Sequence, residues 1–282
     1  LYQDKTLFVM LPGIAFSKSY NNLNVFGGIH RGFTPPSSGA LKILNFGEGL
    51  EDSGLDLDSE RSWNKEIGVR GKSSLIDFEL AGFHIDIENL VAAGRGTAFK
   101  NLGKVTTQGL ELRASLLLSN VFSILPNMDI SYAFLSTEVK DATVISNVSG
   151  TYGSEVSING KELPYSPDHT VTVGLEYNIN SKVNLRGDLR YVSEVYTDFE
   201  NIEETDNIGV SGPIPSYSIL NISGSYQLGT QLKLFFSGKN IADEKYIGSR
   251  LHSNPGQKDA NISSGIIPGP RRQLNLGLEY SF

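Results

Sequence analysis

The sequence predicts an all-β chain: a transmembrane antiparallel β-barrel, with about eleven strands present. Three observations carry this. Apolar and polar residues alternate with period two along most of the chain, and helical periodicity is almost absent. Short turns and long polar segments also alternate without exception. The apolar face gathers aromatic residues toward both ends of its strands, as a lipid-facing wall requires, because amphipathic rings favour the headgroup level. A soluble sandwich alternates too, so the aromatic placement is what separates the two.

The strands are expected at 7–20, 22–34, 61–71, 74–90, 102–118, 127–141, 168–178, 182–197, 216–228, 231–246 and 271–282. The final stretch, "RRQLNLGLEYSF", shows the pattern clearly. Leu274, Leu276, Leu278, Tyr280 and Phe282 share one face, with Gln273, Asn275, Gly277, Glu279 and Ser281 on the other. In "TVTVGLEYNI", Val171, Val173, Leu175 and Tyr177 lie together; in "VNLRGDLRYV", Val183, Leu185, Leu189 and Tyr191 do. One strand breaks phase. In "LIDFELAGFHIDIENL" the apolar set is Ile76, Phe78 and Leu80, then Phe83, Ile85 and Ile87. An extra residue near Ala81-Gly82 would restore the phase, so a β-bulge is expected there.

The connections fall into two classes. Asn21-Asn22, Lys72–Ser74, the stretch around Asn178–Ser181 and Gly229-Thr230 are short turns, and Ser119–Pro126 is somewhat longer. The segments 36–60, 92–101, 142–166, 198–214 and 247–270 are long and polar. In an up-and-down sheet all tight turns then lie at one end and all long loops at the other. Tyr177, Tyr226, Tyr280 and Phe282 are expected in the belt at the short-turn end; Trp63, Tyr191, Tyr217 and Tyr246 in the belt at the long-loop end.

Composition narrows the function classes. A formal net charge of -7 argues against a nucleic-acid binder. The absence of cysteine removes disulfides and thiolate metal sites. No apolar run is long enough for a transmembrane helix, which leaves spanning strands open. The four histidines, His30, His84, His169 and His252, are scattered, and no catalytic constellation is present, so the chain reads as a non-enzyme. The acidic loop with Glu48, Glu51, Asp52, Asp56, Asp58 and Glu60 lacks EF-hand spacing and reads as a solvated loop rather than a Ca²⁺ site. No metal site is expected.

Parity adds a constraint. With strict up-down alternation the first and last of eleven strands point the same way and cannot close a barrel by antiparallel pairing. An open edge in lipid costs several kcal/mol per unsatisfied backbone group, and bacterial barrels have even strand numbers. The chain, which begins at Leu1 rather than Met, is therefore expected to be a piece of something longer.

Text at the long-loop ends carries a resemblance. "VFGGIHRGFTPP", "NLGKVTTQGLEL" (Asn101, Gly103, Gly109, Glu111), "SPDHTVTVGLEY", "GKNIADEKY" and "PGPRRQLNLGLEYSF" resemble, in order, strand-end motifs of TonB-dependent outer-membrane receptors. The "GGIHRGFTPP" spelling is most similar to ferric-citrate-type receptors. The resemblance implies that residues 1–282 are the C-terminal half of a 22-stranded plugged barrel, with the plug domain and the first half of the barrel absent. It implies a receptor in the bacterial outer membrane that binds and imports a ferric chelate, a siderophore or ferric citrate, with energy from TonB. No cofactor is implied; iron enters only as the transported chelate. The implied partners are the chelate, the TonB complex through the absent N-terminal region, the receptor's own plug, and lipopolysaccharide with outer-membrane lipid. A receptor for cobalamin or an oligosaccharide, and a passive porin or adhesin barrel, are the alternatives.

Site residues follow from alternation within that frame. Glu66, Arg70, Glu111, Arg113, Arg186, Asp188 and Arg190 should face the lumen and meet the plug through hydrated pairs worth about 0–1 kcal/mol each. His30 should point inward near the mouth, and Arg95, Arg250, His252 and Arg271 join it as candidate ligand contacts for an anionic chelate. Arg31 and Arg272 should point outward toward lipid phosphates. Phe282, as a C-terminal aromatic, resembles the recognition signal of the barrel assembly machinery.

Overall fold

A computed structural model describes residues 8–35, 57–93, 99–146, 148, 150–251, 259 and 264–282. Eleven strands form one antiparallel sheet whose spatial order follows the chain. They are β1 Gly13–Tyr20, β2 Leu23–Thr34, β3 Glu60–Lys72, β4 Ile76–Glu88, β5 Lys104–Leu116 and β6 Asn127–Asp141. They continue as β7 His169–Asn180, β8 Val183–Val192, β9 Tyr217–Leu228, β10 Leu232–Lys239 and β11 Gln273–Tyr280. All eleven expected strands are present. β6, at 15 residues, exceeds the 9–11 that cross a bilayer, so its long-loop end projects beyond the membrane.

The tight turns are built by residues that tolerate positive φ, notably Asn21 at 51° and Gly229 at 73°. The β5–β6 connection is longer and holds a single 3₁₀ turn, Leu118–Asn120. Because partners in an antiparallel ladder share a face, the register assigns every side chain. Leu274, Leu276, Leu278 and Tyr280 lie with Leu232, Leu234, Phe236, Ile222, Tyr226 and Leu228 on the outer wall. Gln273, Asn275 and Glu279 lie with Lys233, Ser237 and Lys239 on the inner wall.

The expected bulge near Ala81-Gly82 is not there. β4 pairs without a register shift with β3 from Lys72↔Asp77 to Arg61↔Glu88, and with β5 from Ile76↔Leu116 to Glu88↔Lys104. Phase is not restored; the faces exchange character. Ile76, Phe78 and Leu80 point outward, whereas Phe83, Ile85 and Ile87 point inward, and His84 and Asp86 take the outer face. The physical reason is the membrane boundary. Within the bilayer the outer face is apolar; past it that face meets water, and the inner face must supply a core for the loops.

That core is compact. Leu102, Val105, Val139, Ala142, Val144 and Ile158 are buried together, with Ile87, Leu90, Val156, Leu163 and Phe199 packed against them. Val105 pairs with both Ile87 and Val139 on the inner face. The segment after β6 thus folds inward over the strand ends, and short ribbons Thr143–Ile145 with Glu155–Ser157 and Ile247–Arg250 with Ile266–Pro268 extend it.

Two strands end sooner than alternation suggested. β8 stops at Val192, and beyond it Val195 keeps only an isolated bridge to Ile214. β10 stops at Lys239 because Asn240 and Asp243 adopt φ of 48° and 56°.

Candidate functional site: the inner wall and its outer mouth

All seven predicted lumen charges lie on the inner face. The register aligns Asn24 with Arg70, Gly28 with Glu66, Glu79 with Arg113, Ala81 with Glu111, and Glu176 with Arg186. Asp188 and Arg190 share the face of Arg186 by alternation along β8. The structure sorts them into two sets. Arg186 lies 3.1 Å from Asp129 and 3.8 Å from Glu176, and Ser115 donates to Asp129 at 2.7 Å. Asn221 donates to Asp188 at 2.8 Å, and Arg70 sits 3.9 Å from Glu79 and over the Phe26 ring. Lys72–Asp77 at 3.1 Å completes this satisfied set.

Glu66, Glu111, Arg113 and Arg190 make no ion pair among the described residues. Glu111 has small neighbours on both sides, Ala81 and Ala133, and Glu66 has Gly28 on one side and Phe83 on the other; Arg113 lies between Glu79 and Ser131, and Arg190 between Thr172 and Ile219. The small flanks leave room for a foreign side chain next to Glu111 and on the Gly28 side of Glu66. The glycines quoted in the resemblance have a different role here. A Cβ on Gly109 would stand 2.3 Å from the Phe134 carbonyl oxygen and 2.7 Å from the Phe83 ring, and one on Gly103 would stand 1.8 Å from the Asp141 carbonyl oxygen. Both mark close backbone approach.

Among the described residues, the predicted ligand contacts His30, Arg250 and Arg271 do not form one cluster. His30 points inward near the mouth, between Gly13 and Asn64, with its side chain accessible. Arg95 and His252 lie outside the described residues. Arg271 is committed to Asp243: Nε donates at 2.9 Å to Oδ1 and an Nη donates to Oδ2, so its charge serves as a clamp on the turn after β10. Arg271 and the Arg272 amide together hold the Asp243 carboxyl well below the usual carboxylate range. Arg272 folds back to the Ile241 carbonyl at 3.3 Å instead of reaching out to lipid.

Arg250 is the clearest correction. It is 4 % exposed, not a free rim cation. Its guanidinium donates to the Gly209 carbonyl at 2.6 Å and the Pro213 carbonyl at 2.7 Å, while its backbone exchanges hydrogen bonds with the Tyr165 hydroxyl. Three external segments therefore meet at one residue. Further ties join them: Ser146 donates to Glu200 at 2.7 Å, Asn201 bonds both the Glu162 amide and carbonyl, and the Gly265 amide donates to Ile208. Burial, with repulsion from Asp168, raises the Glu162 carboxyl above its ordinary range.

Alternation missed a second inner feature. Tyr217 was expected in the outer aromatic belt, but it pairs with Val192 on the face of Arg190 and Asp188. Its ring stacks on Tyr246, with centroids 4.4 Å apart and planes 25° apart. Burial and the adjacent Tyr217 push the Tyr246 phenol up, and Arg190 opposes the rise. Asn240 anchors this corner: it is 3 % exposed, its amide donates to Asn221, and its side chain bonds Glu244 and the Pro270 carbonyl. The signal was legible in "NIADEKY", since positive φ favours Asn and Asp, but only as a turn. At the opposite end Phe282 is fully exposed, edge-on to Tyr280 at 5.2 Å, beside the β9–β10 turn.

A family model described as TonB dependent receptor-like, beta-barrel, matches residues 8–241. The chain belongs to the TonB-dependent receptor β-barrel family. It is 21% identical over 220 residues to the catecholate siderophore receptor Fiu of Escherichia coli K12, a match covering 76% of this chain and 26% of that protein. The chain spans about a quarter of the length of the curated relatives it matches. Among solved structures it is similar to the unliganded ferric citrate transporter FecA, with TM-score 0.69 and 22% identity over 95% of this chain and 38% of that one. It is similar also to the siderophore receptor PiuA of Acinetobacter baumannii, with TM-score 0.69 and 17% identity over 96% and 35%. TonB-dependent receptor barrels are outer-membrane proteins, which fixes the outward apolar band as lipid-facing wall and the family role as a receptor rather than an enzyme.

Proposed function

We propose that this chain is the C-terminal half, strands 12 to 22, of a receptor that binds a ferric chelate outside the cell and imports it with TonB-supplied energy. The observation that carries the reading is the inner wall: a charged ladder in which Glu66, Glu111, Arg113 and Arg190 lack ion partners among the described residues, with Glu111 flanked on both sides by alanine. Such a wall suits a plug that binds through many weak polar contacts and can be displaced under force. At the outer mouth, His30, Arg190 and the Tyr217–Tyr246 stack offer an anionic, aromatic-compatible chelate inward-facing contacts. The family membership and the siderophore and ferric citrate relatives support the substrate class; no resident cofactor is needed.

The test is growth of a strain deleted for the full-length receptor, in iron-limited medium supplied with one ferric chelate at a time. Loss of growth on ferric citrate or on one ferric siderophore, restored by the wild-type gene, is the expected result. Normal uptake of every ferric chelate tested refutes the iron assignment and favours cobalamin or an oligosaccharide as cargo. Glu111→Ala with Arg113→Ala should leave barrel assembly intact and weaken plug retention.

A further inference from the structure

The outer wall carries a groove that the transport reading does not use. The register places Gly27, Ile67, Gly82, Leu110 and Phe134 in one row across β2 to β6, all outward. Gly82 leaves a gap in that row. An added Cβ there would meet nothing nearer than the Gly109 carbonyl oxygen at 3.8 Å, whereas the gap at Gly27 is already filled by the Phe16 ring. The result is a groove of about 580 Å³ with Gly82 at its floor and Ile67, Leu110 and Phe134 along its sides.

The next row outward changes chemistry abruptly. It reads Lys65, His84, Gln108, and all three line the same groove. Asp86, one row further, ties the two basic groups together: Lys65 Nζ lies 3.0 Å from one carboxylate oxygen and His84 Nε2 lies 3.0 Å from the other. Thr106 also donates to Asp86, at 3.4 Å. An ammonium has three N–H donors, and Lys65, about half exposed, uses one of them here. Arg31, over the Trp63 ring on the adjoining strands, adds a second cation to this rim. The groove therefore has an apolar floor inside the bilayer and a basic rim at its boundary, fixed in place by a carboxylate.

The geometry points to a site for one phosphate-bearing lipid of the outer wall's own membrane: an acyl chain lies against Gly82 between Ile67 and Leu110, and Lys65 donates to the phosphate. Charge complementarity selects the headgroup, since a zwitterionic lipid offsets its phosphate with an ammonium that Lys65 and Arg31 repel. The bared Gly82 selects the chain, because any side chain there would occupy its place. This site is independent of the cargo assignment.

The test uses the full-length receptor that contains this chain, purified in detergent and examined by native mass spectrometry. Dioleoyl-phosphatidylglycerol, dioleoyl-phosphatidylcholine and inorganic phosphate are added separately. Wild type should retain the phosphatidylglycerol in preference to the phosphatidylcholine. Gly82→Leu fills the groove at a position of ordinary extended φ and should weaken phosphatidylglycerol binding about tenfold, the factor carried by lost burial of about two methylenes. Heat-modifiable migration should stay unchanged in that variant, showing an intact barrel. Lys65→Gln should abolish the preference for phosphatidylglycerol and leave phosphatidylcholine binding as it was. Undiminished phosphatidylglycerol binding by Gly82→Leu overturns the proposal. Saturation by inorganic phosphate alone, or a receptor dimer that Gly82→Leu disrupts, overturns it as well, in favour of an ion site or of a second copy.

Discussion

Replacing Arg250 by Met should free the external segments without disturbing the barrel. Arg250 is 4 % exposed, and its guanidinium donates two short hydrogen bonds, at 2.6 and 2.7 Å, to carbonyls of the segment between β8 and β9. Hydrogen bonds to a charged group contribute about 1.5–3 kcal/mol each, and a carbonyl left buried without a donor costs about 1–3 kcal/mol. Water reaches those carbonyls once the segments part, so the net local loss settles near 3 kcal/mol, toward the low end of the sum. At 1.4 kcal/mol per tenfold, local opening becomes roughly 100-fold more frequent. Hydrogen exchange on the full-length receptor reads this directly. The Gly265 amide bonded to Ile208, and the Leu251 amide bonded to Gly265, should exchange roughly 100-fold faster by the same conversion, with β9 and β10 amides unchanged. Arg250→Lys keeps the charge but loses the fork, and should fall between the two. Unchanged exchange at Gly265 and Leu251 in Arg250→Met would refute the reasoning. So would faster exchange along the whole barrel, because it would mean that the segments do not open as a unit.

Three further outcomes are expected. Deleting Phe282, which is fully exposed at the short-turn belt, should lower the amount of heat-modifiable receptor in the outer membrane far more than it alters ligand affinity; equal assembly would count against its role as an assembly signal. Gly109→Ala drives a Cβ to 2.3 Å from the Phe134 carbonyl and into the Phe83 ring, and should destabilise the barrel by about 1–3 kcal/mol in a thermal or denaturant melt. Glu162, whose carboxyl is raised by burial and by Asp168, destabilises its segment when charged, so Glu162→Gln should slow exchange around residues 160–165 at neutral pH. The sign reverses no further than equality: below the ordinary glutamate range both side chains are neutral and the difference should vanish, and a persistent difference there would sink the electrostatic explanation.

Sequence and tertiary structure determined different things here. Alternation placed all eleven strands, the direction of every lumen charge and the division into tight and long connections. It succeeded because the side-chain period of a strand is a local property, and because lipid on one side and water on the other hold that period over many residues. The outward Leu274, Leu276, Leu278 and Tyr280, and the inward Glu66, Arg186 and Arg190, needed nothing more. The same rule could not decide what a phase break means. At Ala81-Gly82 a bulge and an exchange of faces give one and the same pattern, and only the tertiary pairing, which runs without a shift against both β3 and β5, separates them. Arg250, Arg271 and Tyr217 were misread for a related reason. Each meets its partner, Gly209, Asp243 or Tyr246, across a fold-back of 28 to 41 residues, the last two at a corner built on positive-φ Asn240. Such contacts depend on where separate loops converge above the barrel, which a one-dimensional period does not encode.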